Sequence, residues 1–248
     1  MDFKVFEPPD KKDKFEKLAH KLFRTKSRIN LIGQSGSGKT QFMMNILFNW
    51  NLNYYKKSKA HIVFMSGTED TMYHIAKLAH QHKYDHKLFD VMQFDMDELK
   101  EIYENHDGLQ SPLVIVLDDA AFLKGFSSPY KKNLLSKIFA SGRHKNTTII
   151  TSLQKYFFLS EDCRSVNTTH LVIYDLNQKE ANRFYEENLS KIMDKEQFFS
   201  IMRKYLNEQY KFIILDCIKK KLYDNKGNEI TIECSKGHKV INDENEDT

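Results

Sequence analysis

The sequence has few cysteines and lacks the long apolar segments that would place it in several large classes of protein. Its three cysteines, in 248 residues, show no Cys-x-x-Cys spacing, which excludes a disulfide framework and a zinc finger and predicts reduced thiols. The longest clean apolar run, Leu113 to Leu117, has the length of a strand rather than the roughly 18 residues of a membrane span. The amino-terminal residues lack the apolar core of a secretory signal. We therefore expect a protein of a reducing, cytosol-like compartment that is neither secreted nor inserted into a membrane.

Composition and charge indicate a folded domain. Hydrophobic residues make up 40% of the chain and charged residues 29%, which excludes a mainly disordered protein. The net charge of +4 permits a nucleic-acid partner without indicating one. The length fits one large domain with a modest appendage. We expect an amino-terminal arm or helix over residues 1–27, a core over 28–190, and a carboxy-terminal extension over 191–248 that contains a β-ribbon and an acidic tail.

Short apolar runs alternate with helical segments along most of the chain. The runs predict strands at residues 28–32, 60–66, 113–117, 147–152 and 170–174, followed by a ribbon within 211–215 and 222–233. Helical spacing predicts helices at 39–50, at 97–105 with Asp97 as the cap, from Ser127-Ser128-Pro129 to Gly142, near 178–189 and near 194–207. Strands that alternate with helices predict an α/β fold with a mostly parallel, doubly wound sheet flanked by helices.

One motif carries the strongest chemical signal. Gly33-Gln34-Ser35-Gly36-Ser37-Gly38-Lys39-Thr40 satisfies the pattern G-x-x-x-x-G-K-[ST] and lies between a predicted strand and a predicted helix. Its glycines let successive backbone N–H groups face a phosphate, and the start of the helix adds a partial positive charge. Lys39 is expected to reach the β- and γ-phosphates, and the Thr40 hydroxyl is expected to bind Mg²⁺. The sequence therefore predicts that the chain binds ATP together with Mg²⁺.

A pair of carboxylates indicates hydrolysis of that nucleotide. The predicted strand 113–117 ends in Asp118-Asp119. A buried strand that delivers a carboxylate beside the phosphate loop supplies a ligand for Mg²⁺, and Asp118 is expected to have that role. Asp119 is expected to orient the attacking water or to accept its proton. Glu69, just past the second strand, is the alternative base.

Two further positions complete the expected catalytic set. Gln154 follows the fourth strand, and it can bond to the γ-phosphate or to the attacking water if that strand lies beside the phosphate-loop strand. Arg143 follows Gly142 and is a candidate for an arginine supplied to a neighbouring subunit, where it would stabilise the charge of the transferring phosphoryl group. Arg164, before the fifth strand, is the rival for this role.

Four sequence blocks together resemble a known family. The blocks are GQSGSGKT, IVLDDAAF, SGRHKNTTIITSLQ and RSVNTTHLVIYDL, and they resemble the genome-packaging ATPases of large DNA viruses and virophages, the poxvirus-type branch of the FtsK–HerA superfamily. The resemblance runs from about Arg28 to Asp175. It implies a RecA-like P-loop ATPase core with an additional strand in its sheet. The residues that fall on the family's nucleotide-binding, hydrolytic, finger and sensor positions are Lys39, Thr40, Asp118, Asp119, Arg143 and Gln154.

The resemblance also implies partners and a location. The family implies a homo-oligomeric ring, a pentamer or a hexamer, that moves double-stranded DNA without sequence preference into a preformed capsid. The capsid protein at a packaging vertex is then a partner, and the location is the host cytoplasm or the viral factory, with the virion as an alternative. The candidate DNA contacts in the sequence are the basic runs Lys131-Lys132, Lys219-Lys220-Lys221 and Lys56-Lys57-Ser58-Lys59, each of which also fits an ordinary solvated face.

Other functions share the phosphate loop. A helicase or replication-associated DNA-dependent ATPase shares every nucleotide residue named above and is the main alternative. A small-molecule or nucleotide kinase needs an acceptor site and does not need a carboxylate pair with a sensor glutamine. A scaffold that binds nucleotide only for assembly would bind ATP without turnover.

Overall fold

The computed structural model describes residues 14–23, 26–119 and 129–232, with the backbone alone for residues 129–133. Its strands are β1 (Arg28–Ile32), β2 (His61–Ser66), β3 (Phe89–Gln93), β4 (Leu113–Asp118), β5 (Thr147–Leu153), β6 (His170–Ile173), β7 (Ile213–Asp216), β8 (Lys221–Asp224) and β9 (Glu229–Ile230). Its α-helices are α1 (Lys14–Leu22), α2 (Lys39–Asn45), α3 (Leu52–Lys57), α4 (Glu69–Gln81), α5 (Met96–Asn105), α6 (Pro129–Ser141), α7 (Gln178–Asn188) and α8 (Lys195–Tyr205).

The strands form one sheet in the order β3-β2-β4-β5-β1-β6-β7-β8-β9. The strands from β3 to β6 in this order pair in parallel, and β7, β8 and β9 continue the sheet with antiparallel pairing. Strand β5 lies between β1 and β4, so one additional strand separates the phosphate-loop strand from the strand that ends in the carboxylates. The expected α/β class with a mostly parallel sheet is confirmed, and the additional strand is present.

The central strands are apolar because helices cover both faces of the sheet. Every residue of β4 and of β5 is buried, as is typical of parallel strands covered on both faces. Successive residues of β4 enter different cores: Leu113, Ile115 and Leu117 belong to one hydrophobic cluster, and Val114 and Val116 belong to the other. One core contains residues of α5 to α8, and the other contains residues of α1 to α4. The alternation follows from the two-residue period of a strand.

Several predicted elements differ from the structure in detail. Strand β3 was not predicted, because its burial is only partial beyond Phe89 and its apolar pattern is weak. Helix α5 is capped by Asp95 rather than by Asp97: a carboxylate oxygen of Asp95 accepts the N–H groups of Asp97 and Glu98 at 2.8 and 3.2 Å. The predicted helix 39–50 is α-helical only to Asn45, and a π-helical segment, Ile46–Trp50, follows.

Both ends of the chain are described in part. Helix α1 lies within the predicted arm, and the expected ribbon is formed by β7, β8 and β9. Because β7 pairs with β6, this ribbon extends the main sheet. The expected caps Ser127 and Ser128, Cys234 and the acidic tail lie outside the described residues. Among those that are described, no helix combines the length and apolarity needed to cross a bilayer.

A buried amide ties β1 to the strands and connections on both sides. The Asn30 Nδ2 group donates to the Cys163 carbonyl and to the Thr168 hydroxyl, each at 2.8 Å, and its Oδ1 atom accepts from the Thr151 hydroxyl at 2.6 Å. Asn30 is fully buried. The Thr168 hydroxyl also donates to the Cys163 carbonyl at 2.6 Å, so the amide belongs to a small buried network. Removal of the amide would leave buried polar groups short of hydrogen bonds, which is costly.

We expect Asn30→Ala to lower the free energy of unfolding by about 3 kcal/mol, because the change removes three buried hydrogen bonds and leaves a small cavity. Urea unfolding followed by circular dichroism measures this loss. Asn53→Ala, at an exposed position of α3, is the matched control and should change the stability by less than about 0.5 kcal/mol. Equal unfolding midpoints for the two variants would show that the Asn30 network does not stabilise the sheet.

Candidate active site

The phosphate loop follows β1 directly and is held against the next strand. The Gly33 N–H group donates to the Leu153 carbonyl of β5 at 3.1 Å, which continues the pairing of the two strands by one residue. A Cβ atom on Gly33 would lie 2.5 Å from the Cβ of Tyr174, so only glycine fits there. Gly38 caps α2 in a left-handed conformation with φ of 98°, which also favours glycine. Two of the loop's glycines are therefore required by the backbone and its packing.

Lys39, the first residue of α2, folds back over the loop. Its Nζ group donates to the carbonyls of Gly33 and Gln34, both at 2.8 Å, and the residue is buried. Burial lowers the pKa of Lys39, while the nearby charges of Asp119 and Asp118 oppose that shift. A buried ammonium group at the mouth of a phosphate loop is stabilised by an anion, as the predicted role of Lys39 requires.

Thr40 and Asp118 lie together, as the sequence predicts for a Mg²⁺ site. The Thr40 hydroxyl donates to the two carboxylate oxygens of Asp118 at 3.2 and 3.3 Å. Burial raises the pKa of Asp118, hydrogen bonds from Ser152 and Thr40 lower it, and the charge of Asp119 raises it further, with a net increase. The sequence analysis missed Ser152, whose proximity to Asp118 follows from the pairing of β4 with β5.

The donor groups at this site fit Mg²⁺ and a phosphate chain. A hydroxyl and a carboxylate are the hard oxygen ligands that Mg²⁺ prefers. The Ser37 hydroxyl of the loop is buried and has no hydrogen-bond partner within the part of the chain that is described. An unsatisfied buried hydroxyl in such a loop is explained by a ligand oxygen that it contacts when the loop is loaded.

Asp119 and Gln154 are in direct contact. The Gln154 Nε2 group donates to both carboxylate oxygens of Asp119, at 3.0 and 3.3 Å. Asp119 has φ of 53°, a left-handed conformation that is uncommon for a residue with a side chain and is often found at functional sites. The pattern placed each residue near the phosphate loop but did not predict that they bond to each other.

Glu69, the alternative base, has a different environment. It is the first residue of α4 and is exposed to solvent. It lies near the same ends of the strands as Asp118, because Ser66 at the end of β2 pairs with Asp118 at the end of β4. Asp119 contacts the sensor candidate Gln154, and its charge also acts on Lys39. The geometry therefore favours Asp119 as the base.

Arg143 lies near the amino ends of the parallel strands, opposite the end that carries the phosphate loop. It is exposed in the turn before β5, whereas Gln154 follows the other end of that strand, about 20 Å away at the rise of a β-strand. Its Nε group donates to the His144 ring at 3.2 Å. Burial lowers the pKa of Arg28, at the start of β1, and the nearby charge of Arg143 lowers it further. Arg143 therefore does not reach the phosphate loop of its own chain.

Arg164, the rival finger, is held inside the chain. Its Nε and Nη2 groups donate to the two carboxylate oxygens of Glu187 at 2.9 and 2.6 Å, and its Nη1 group donates to the Leu159 carbonyl at 2.8 Å. Burial acts to raise the pKa of Glu187, but hydrogen bonds from Arg164, Tyr156 and Arg183 lower it below its ordinary value. With its guanidinium group bonded in this way, Arg164 is suited to holding the fold rather than to stabilising a phosphoryl group.

Aromatic side chains lie against the phosphate loop, and the sequence analysis missed them. Tyr174, directly after β6, packs on Gly33, and a Cβ atom on Gly38 would lie 3.3 Å from Cδ1 of Tyr210. The position of Tyr174 could have been predicted from the sequence, because it follows a strand that lies beside β1. Tyr210 has no such signal in the sequence, because its position depends on the loop between α8 and β7.

Some lysines of the predicted basic runs form hydrogen bonds or ion pairs within the chain, and others are exposed. Lys56 donates to the His82 carbonyl, and Lys219 and Lys221 form ion pairs with Asp216 at 3.8 Å and Glu229 at 2.9 Å. Lys57, Lys59 and Lys220 are exposed. The side chains of Lys131 and Lys132 lie outside the described residues.

Comparison with known families gives one match. The sequence model of the family described as "Poxvirus A32 protein" matches residues 12–248. No curated protein matches the chain significantly in sequence.

Solved structures with the same fold include viral proteins. The genome packaging NTPase B204 from Sulfolobus turreted icosahedral virus 2, in complex with ATP-gammaS, is 15% identical with a TM-score of 0.53, over 79% of this chain and 94% of that chain. The DNA-packaging ATPase B204 from Sulfolobus turreted icosahedral virus is 15% identical with a TM-score of 0.53, over 82% and 97%. EssC (ATPases 2 and 3) from Geobacillus thermodenitrificans is 13% identical with a TM-score of 0.50, over 64% and 33%. At these identities the likeness shows a shared fold.

The two candidate finger arginines should differ in their effect on stability. We expect Arg164→Ala to lower the free energy of unfolding by about 3 kcal/mol, because it leaves the buried Glu187 carboxylate without its main partner. Arg143→Ala should change the stability by less than about 0.5 kcal/mol, as should Arg203→Ala at an exposed site on α8. Thermal and urea unfolding measure these differences. Equal losses for Arg143→Ala and Arg164→Ala would contradict the structural role assigned to Arg164.

Proposed function

Because the chain belongs to the Poxvirus A32 protein family, a packaging ATPase family, we propose that it is an ATP-hydrolysing motor that moves double-stranded viral DNA into a preformed capsid. The observation that carries the hydrolytic part is the contact between Asp119 and Gln154 beside the pair of Thr40 and Asp118. A base candidate, a sensor candidate and an oxygen pair suited to a metal thus meet at the mouth of one phosphate loop. Structures of the genome packaging NTPase B204, which has this fold, were solved in complex with ATP-gammaS, AMP and AMPPCP, which supports ATP as the ligand.

In the proposed mechanism, the phosphate loop binds the triphosphate. The backbone N–H groups of the loop and the start of α2 face the phosphates, and Lys39 exchanges its bonds to loop carbonyls for bonds to phosphate oxygens. Thr40 and Asp118 would hold Mg²⁺, which would neutralise part of the negative charge of the phosphates. The charges that burial disfavours in Lys39 and Asp118 then face charges of opposite sign.

Asp119 and Gln154 act on the attacking water. Asp119 accepts a hydrogen bond from the water and orients it toward the γ-phosphate. The carboxylate receives a proton of the water as the water oxygen bonds to the γ-phosphorus, the bond from that phosphorus to the β–γ bridging oxygen breaks, and ADP and phosphate are the products. The Gln154 amide group holds the carboxylate in place before the nucleotide arrives. The Gln154 backbone lies next to the phosphate loop, since the carbonyl of the preceding Leu153 accepts the Gly33 N–H group.

Arg143 acts on a nucleotide bound to another chain. Its distance from the phosphate loop of its own chain excludes a role there, so its guanidinium group is available to a neighbouring subunit in a ring. An arginine supplied in this way accelerates phosphoryl transfer by a factor on the order of 10³ or more. A pentamer or a hexamer would place one such arginine at each nucleotide.

The DNA partner is bound through its phosphates. A motor that moves DNA of any sequence needs contacts to the backbone rather than to base edges, and lysines supply them. Lys57, Lys59 and Lys220 are exposed candidates for these contacts. We place the working protein in the host cytoplasm or a viral factory, with a capsid protein at the packaging vertex as its docking partner.

We expect purified protein to hydrolyse ATP faster when linear double-stranded DNA is added. Asp119→Asn should lower kcat by at least about 100-fold in both conditions while keeping ATP binding, because it removes the base but leaves the loop intact. Lys39→Ala should lose most of the ATP affinity. Phosphate release and equilibrium binding of ATP provide the two measurements.

Asp162→Asn, at an exposed position, is the matched control and should behave as the wild type. Normal turnover by Asp119→Asn would overturn the assignment of the base. ATP binding without turnover in any condition would support a scaffold instead. Strand separation by the wild type would favour the helicase alternative.

We expect Arg143→Ala to abolish most turnover and to be rescued by mixing. A ring that contains both Arg143→Ala and Asp119→Asn subunits has some interfaces with an intact base on one chain and an intact arginine on the next. Mixing the two inactive variants should therefore restore a fraction of the DNA-stimulated ATPase rate, measured against the ratio of subunits. If no mixture recovers activity, Arg143 does not act across an interface.

A further inference from the structure

The arrangement of the site gives the bound nucleotide a direction. Asp118, Asp119 and Gln154 follow β4 and β5 and therefore lie on one side of the phosphate loop. The γ-phosphate must face that side, because hydrolysis takes place there. Strands β6 and β7 lie on the other side of β1. The nucleoside end of the ligand is then directed away from β5, toward the side of the phosphate loop on which β6 and β7 lie.

A solvent-exposed tyrosine lies on that side. Tyr210, in the loop that leads from α8 to β7, exposes 61% of its surface, which is a large fraction for an aromatic residue. Its ring is in contact with the loop glycine Gly38, where an added Cβ atom would lie 3.3 Å from Cδ1. Its φ of 66° is left-handed, an uncommon conformation for a bulky residue. An exposed ring held in this conformation beside a ligand loop suggests a functional constraint.

The position of Tyr210 is fixed by its neighbour in the same loop. The Phe212 ring packs edge-on against Phe42 of α2, with ring centroids 5.0 Å apart, and against Phe15 at 5.5 Å. It also contacts the Tyr174 ring at 5.6 Å, and Tyr174 in turn packs on Gly33. The loop that carries Tyr210 is thereby joined to α2 and, through Tyr174, to the phosphate-loop glycine Gly33. The packing of Phe212 therefore holds the Tyr210 ring beside the phosphate loop before a ligand binds.

We propose that Tyr210 is the stacking surface for the base of a nucleoside triphosphate held by the phosphate loop. This inference rests on the proposed function, in that the loop must bind ATP. An aromatic ring stacks on the face of a base and tolerates different bases, because every base presents a π-face. Most of the described aromatic residues are buried or half-buried, whereas Tyr210 is exposed and lies beside the phosphate loop. A purine, with its larger face, is the best-fitting class of base.

The test compares a ligand that has a base with one that lacks it. We expect Tyr210→Ala to weaken binding of Mg²⁺-ATP about tenfold and to leave binding of Mg²⁺-tripolyphosphate unchanged, because only ATP carries a base to stack. Tyr210→Phe should bind ATP as tightly as the wild type, since it keeps the ring. Isothermal titration calorimetry measures both ligands on each protein. Tyr73→Ala, which removes another exposed tyrosine on α4, is the matched control.

The outcomes separate this inference from the proposed function. Equal weakening of ATP and tripolyphosphate in Tyr210→Ala would mean that the residue only supports the phosphate loop, and would overturn the inference. Unchanged ATP binding in Tyr210→Ala would overturn it as well. Wild-type protein that binds tripolyphosphate as tightly as ATP would exclude any base site while leaving the phosphate loop in place. Wild-type protein that binds neither ligand would overturn the proposed function and the inference together.

Discussion

The hydrogen bond from the Gly33 amide to the Leu153 carbonyl joins the phosphate loop to the strand that ends in Gln154. It continues the register in which Ile32 pairs with Leu153, and the neighbouring register pairs the residues of β4 with those of β5. A shift of β5 by one residue would turn its side chains to the opposite faces of the sheet and would move Gln154 away from Asp119. The covered, fully buried central strands prevent such a shift. The geometry of the site is therefore a consequence of how the two hydrophobic cores fix three adjacent strands.

The same burial that fixes the strands also acts on the charges of two site residues. It raises the pKa of Asp118 and lowers the pKa of Lys39, so that in both residues the charged form is disfavoured. The buried Ser37 hydroxyl and the left-handed Asp119 are further features that a fold selected for stability alone would avoid. A cation facing Asp118 and an anion facing Lys39 would favour the charged form of each residue. Binding of a Mg²⁺-nucleotide would therefore offset the cost of burying these charges at the carboxyl ends of the strands.

The sequence was sufficient where the chemistry depends on neighbours along the chain. The phosphate-loop motif and the strand that ends in Asp118 could be predicted because a local pattern specifies them. Contacts between distant segments were not predictable: the pairing of Arg164 with Glu187, the bond from Ser152 to Asp118 and the approach of Tyr210 to Gly38 each depend on how strands and loops pack. The short, half-buried β3 was missed for a related reason, since partial burial leaves no clear apolar period. The cap of α5 differed because both Asp95 and Asp97 have the required chemistry, and only the backbone decides between them.

The two ends of the parallel strands carry groups of complementary charge, a phosphate-binding site at one end and arginines at the other. The carboxyl ends of β1, β4 and β5 carry the phosphate loop, Asp118, Asp119 and Gln154, whereas the amino ends of β1 and β5 carry Arg28 and, in the preceding turn, Arg143. Burial lowers the pKa of Arg28, and repulsion from the nearby charge of Arg143 lowers it further. The described side-chain hydrogen bonds of Arg28 and Arg143 go to the Asn167 carbonyl and to the His144 ring. A phosphate of the nucleotide on a second chain would relieve that repulsion. Such a contact joins two different surfaces and is therefore heterologous, and repeated contacts of this type close into a ring or continue as a filament. The proposed ring of ATPase subunits requires a contact of this heterologous type, in which the cation-bearing ends of the strands of one chain face the phosphate loop of the next.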